Sequence, residues 1–290
     1  RPDPLAVRAL ARLYLHLGMG AEARQTLRAF DDESGEAALL TSLARIIDEQ
    51  EPIQADPLAR MQECDTAAAL WAFLARPVDA AAPVNAAAVL RAFSGLPAAL
   101  RKSLGQRLSD RFIHAANPGA AHDIRNAMSR SVGAAEDRSL GMVDANLALD
   151  ANETAPALKK LDQLAQGNDV MAVEAAMTAL RLRLDQDETI DPKQVEAIAA
   201  LAFEHGDGAL GAALAALEIE ARAAAADYSG AARRLEERQA QYPDSDLRPL
   251  ARKVFARLAA RADDADFLQL YFPQPATFGA ALADPAAGSD

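Results

Sequence analysis

The chain has 290 residues, enough for one elongated domain or two compact ones, and only 5% of them are aromatic. Alanine, the strongest helix former, makes up roughly a quarter of the sequence and β-branched runs are almost absent, so the composition predicts an all-α protein. A net charge of −12 excludes nucleic acid as a general partner, and the lack of an uncharged apolar run of about 18 residues argues against a membrane span in this segment.

Basic charge is carried by 25 Arg and 5 Lys; with the alanine content this reads as a bacterial coding bias. Cys64 is the only cysteine, which excludes an internal disulfide. The sequence opens RPDP without an initiator Met, as an excised segment would.

Asp3-Pro4 starts the first helix, with Asp as N-cap and Pro at the first helical position. Asp56-Pro57, Asn117-Pro118 and Asp191-Pro192 repeat the device and mark further helix starts. Val7, Leu10, Ala11 and Tyr14 share one face of that first helix; Gly18 and Gly20 break it, and Ala23, Leu27 and Phe30 form the stripe of a second. In order, these seven residues resemble the tetratricopeptide repeat, with Ala23 at the small position where paired helices cross closely.

Helices are then expected over Glu36–Gln50, roughly Pro57–Ala75, Val84–Phe93 and Pro97–Ala115. In the last of these Leu100, Leu104, Leu108 and Phe112 form an i,i+4 stripe. A short helix follows Asn117-Pro118, and 131–138 is either a long loop or a division between subdomains. The C-terminal half predicts helices near Glu153–Ala165, Asp169–Leu184, Pro192–His205, Gly208–Ala226, Ser229–Tyr242 and Asp246–Ala262. Turns at Glu204–Gly208 and Asp227–Ala231 again resemble tetratricopeptide turns, but only about 20 residues separate them, so a regular 34-residue register does not hold. Phe267, Leu268, Leu270, Tyr271 and Phe272 are expected to form a short capping helix, ahead of a loosely ordered Pro/Ala/Gly-rich tail over 273–290.

The resemblance implies a right-handed α-α solenoid of about 13 to 15 helices over 1–272. Its expected core includes Leu10, Tyr14, Leu27, Leu43, Trp71, Leu104, Leu108, Phe112, Leu180, Ile198, Leu217, Leu235, Val254 and Leu258. It also implies that Arg8, Arg12 and His16, at i, i+4 and i+8 of the first helix, face a groove where a partner peptide lies. Arg would suit an acidic segment, since it pairs carboxylates bidentately.

Other groups read more simply. Lys253, Arg257 and Arg261 form a second basic stripe, expected to be solvated or locally paired. Asp185, Asp187, Thr189, Asp191 and Glu196 have calcium-loop spacing, but Ile190 stands where that loop needs Gly. The segment therefore reads as an acidic loop with Asp191 capping the next helix and Gln194 completing the box. Asp110, His114, His122 and Asp123 read as surface groups, and Cys64 as a buried or half-buried thiol on a helix. Nucleotide, nucleophile-elbow, HExxH and paired-Cys motifs are absent, so neither metal nor cofactor is expected.

The function expected is a non-catalytic scaffold binding a protein or peptide in a concave groove. The alternatives are a structural or docking region of a larger bacterial cell-envelope protein, which would place it in the periplasm or envelope, and an all-α enzyme or ligand-binding domain with an enclosed pocket.

Overall fold

Capping side chains set where the helices begin. The computed structural model describes residues 3–30, 34–48, 56–58, 61, 63–76, 83–130, 138–206 and 208–262. Asp3 accepts the Leu5 N–H at 3.0 Å and starts α1 (Pro4–His16). A positive φ of 79° at Gly18 then ends that helix, and the Met19 N–H returns to the Tyr14 carbonyl at 2.9 Å. The chain reverses into α2 (Gly20–Ala29), whose first residue lies so close to the Ala44 carbonyl of α3 (Gly35–Ile47) that a Cβ there would overlap it. Ala23 is fully buried, as a close helix crossing requires.

The helices that follow are α4 (Ala68–Ala75), α5 (Ala86–Ser94), α6 (Ala98–His114), α7 (Pro118–Ser129), α8 (Arg138–Asp150) and α9 (Thr154–Leu164). After them come α10 (Val170–Asp185), α11 (Pro192–His205), α12 (Ala209–Ala224), α13 (Tyr228–Gln241) and α14 (Arg248–Arg261). The described residues thus contain fourteen helices and no strand, and the protein is all-α. Asn117 accepts the Ala120 N–H at 3.1 Å and caps α7, while Asp191 and Gln194 form the expected capping box on α11.

The chain divides into two compact units, Arg1–Lys160 and Leu161–Asp290, the division falling within α9. In the first, α2 packs on α1 and α3 while α1 also meets α3; α6, α7 and α8 form a second such trio. Its core has two parts, one around Val7, Ala11, Leu15, Leu27 and Leu40, the other around Leu70, Phe93, Leu104, Leu108, Phe112 and Ile124. In the second unit α12 is central, packing on α10, α11, α13 and α14. One cluster there gathers Leu180, Ile190, Ile198, Leu214 and Leu217, and another Ile219, Leu235, Leu250, Val254 and Leu258.

Three expectations are corrected. Leu10 is not core: α1 buries Val7, Ala11 and Leu15, and Leu10 is rotated onto the outer surface. Phe30, just past the end of α2, is likewise exposed. No helix begins at Asp56-Pro57 either: Pro57 and Leu58 lie in a turn, although the buried Asp56 carboxylate is well bonded. It accepts the Ser42 hydroxyl at 2.7 and 2.6 Å and the Leu58 N–H at 2.8 Å. Among the described residues turns follow, and the next helix starts at Ala68, whose N–H donates to Thr66 Oγ1 at 3.3 Å. Tyr14, Leu43 and Trp71 pack half-buried at the margin of the core. The stretch 131–137, the cluster 267–272 and the tail 273–290 lie outside the described residues.

Candidate functional site

Helical spacing brings Arg8 and Arg12 to one edge of α1, where both meet Glu36 in the first turn of α3. Arg8 Nη1 lies 3.3 Å from Glu36 Oε2 and donates to Ser34 Oγ at 3.2 Å, while its Nε donates to the Pro4 carbonyl at 3.3 Å. Arg12 reaches the other oxygen of the same carboxylate. The two guanidiniums differ in access: 17% of the Arg8 side chain is exposed and 57% of that of Arg12. His16, one turn further, is exposed. The three predicted residues therefore lie along one edge, with Glu36 neutralising part of their charge. An open concavity of about 460 Å³ lies against α2, lined by Arg24, Gln25 and Arg28 with Ala21 and Ala29. Arg24 there is held by Asp48 at 2.7 Å.

The second basic stripe is paired with groups distant in the chain. Lys253 bonds Glu220 at 2.9 Å, and Arg257 donates to the Leu184 carbonyl at 2.7 Å. Arg261 donates to the Asp187 carbonyl at 2.6 Å and pairs with the Asp187 carboxylate. The two arginines hold the C-terminal end of α10, where free carbonyls and the helix dipole favour positive charge. Asp187 is thus engaged by arginine, Asp191 caps α11 by accepting the Lys193 N–H at 2.8 Å, and Ile190 is buried in the core. His114 Nδ1 lies 2.7 Å from the Asp110 carbonyl, and Asn146 donates to Asp110 Oδ1 at 2.7 Å. Among the described residues no three His, Cys, Asp or Glu side chains gather as a metal would need. Cys64 is exposed, contrary to expectation, because it sits in the turns before α4 and not on a helix.

Two buried charge clusters escaped the sequence reading. Glu218 on α12 is 1% exposed and accepts Arg222 Nε at 2.9 Å and Arg234 Nε and Nη2 at 3.3 and 3.2 Å, joining α12 to α13. Arg222 also donates to Asp227 at 2.9 Å and Arg234 to Glu237 at 2.8 Å. In the first unit, Arg107 donates to the carbonyls of Ile46 and Leu74 at 2.7 and 3.1 Å. Arg111 donates to those of Phe73 and Arg76 at 2.7 and 2.6 Å and lies 5.8 Å from the Phe73 ring centre. Burial and neighbouring Arg107 push the Arg111 guanidinium down to about 10. The i,i+4 spacing of Arg107 with Arg111 and of Glu218 with Arg222 was visible; their partners on other helices were not.

Asp144 bridges Arg125 at 2.7 Å and Lys160 at 3.2 Å. Burial pushes its carboxyl up, but hydrogen bonds and charge from Arg125 and Lys160 outweigh this and hold it below its ordinary value. These clusters fasten helices to one another, and none brings a nucleophile, a base and an electrophilic donor to one point. No protein-family model, curated protein or solved structure matches the chain.

Proposed function

We propose that this chain is a non-catalytic scaffold of stacked helical hairpins, built like tetratricopeptide repeats in a right-handed superhelix, that binds a peptide or helix of another protein. The observation that carries this reading is the recurring packing of a helix with its next and next-but-one neighbours. It occurs in α1–α2–α3, α6–α7–α8, α10–α11–α12 and α12–α13–α14. That relation is how hairpins stack when each buries its apolar face on the following one.

The binding edge in this proposal is Arg8, Arg12 and His16. Arg12 is the accessible guanidinium, so a carboxylate of the partner joins or displaces Glu36 there, while Arg8 remains anchored to Ser34 and the Pro4 carbonyl. His16 adds a donor one turn along. Selecting binders from a library of short peptides tests this directly. Sequences rich in Asp and Glu should emerge, and their affinity should fall at least tenfold when Arg8 and Arg12 are both reversed to Glu. Glu36→Gln, which removes the carboxylate competing for Arg12, should tighten binding several-fold. Binders without acidic bias, or binders indifferent to the reversal, refute the assignment.

A further inference from the structure

We draw no further inference here: the strongest candidate, the exposed leucine face of α1 formed by Leu5, Leu10, Leu13 and Leu17, is an apolar helix surface, and nothing among the described residues shows what covers it.

Discussion

Truncating the Glu218 side chain should loosen α12 from α13 by about 2–3 kcal/mol. The carboxylate is 1% exposed and receives hydrogen bonds from both Arg222 and Arg234. Stranding a buried charge ordinarily costs about 3–5 kcal/mol. The cost is smaller here because neither arginine is stranded: Arg222 keeps Asp227 at 2.9 Å, Arg234 keeps Glu237 at 2.8 Å, and both guanidiniums reach solvent. Glu218→Ala should therefore show the 2–3 kcal/mol loss. Glu218→Gln keeps the shape and one acceptor oxygen but no charge, and should lose about 1–2 kcal/mol. Amide hydrogen exchange over 209–241, with urea unfolding in parallel, reads both. Faster exchange should centre on the peptides of α12 and α13, and residues 98–129 of the other unit should stay at the wild-type rate. Wild-type exchange at 209–241 in both variants would refute the idea that Glu218 fastens these helices.

Leu108 is fully buried between Leu104 and Phe112, so Leu108→Ala should destabilise the first unit by about 2–5 kcal/mol, and an unchanged melting temperature would contradict its place in the core. Asp144 has a depressed carboxyl in the folded chain, so its stabilisation is complete above the ordinary aspartate value of about 3.9 and fades as pH falls through its own lower value. Asp144→Asn should accordingly remove part of the acid sensitivity of hydrogen exchange in α7 and α8, and identical pH profiles for the two proteins would speak against the bridge.

Helix starts were the most legible feature of the sequence, because a cap is a local interaction. Asp3, Asn117 and Asp191 each satisfy a backbone N–H two or three residues on, and the sequence contains everything needed to see it. Asp56-Pro57 has the same appearance and accepts the N–H two residues on as well, yet turns follow it, and its carboxylate is also tied to Ser42, 14 residues away. Leu10 was misplaced for a related reason. In a helix so rich in Leu and Ala, apolar residues cover more than half the circumference, and periodicity does not choose which side faces inward. Of the proposed site, the sequence showed the Arg8–Arg12–His16 stripe but not Glu36 opposite it, 24 residues beyond Arg12. Arg107 and Arg111 drew no reading from the sequence, because the four carbonyls they bond lie 33 to 61 residues away.

That pair of arginines also makes α6 a ruler. Their two forks grip carbonyls at Ile46, Phe73, Leu74 and Arg76, so one helix sets the spacing between the ends of two others. Adding a single residue to α6 ahead of Arg107 would swing both forks by about 100° and advance them by about 1.5 Å, releasing all four grips together. Residues added to a connection between helices would leave them closed. The first unit can thus absorb changes of length between its helices, whereas α6 is fixed in length by what it measures.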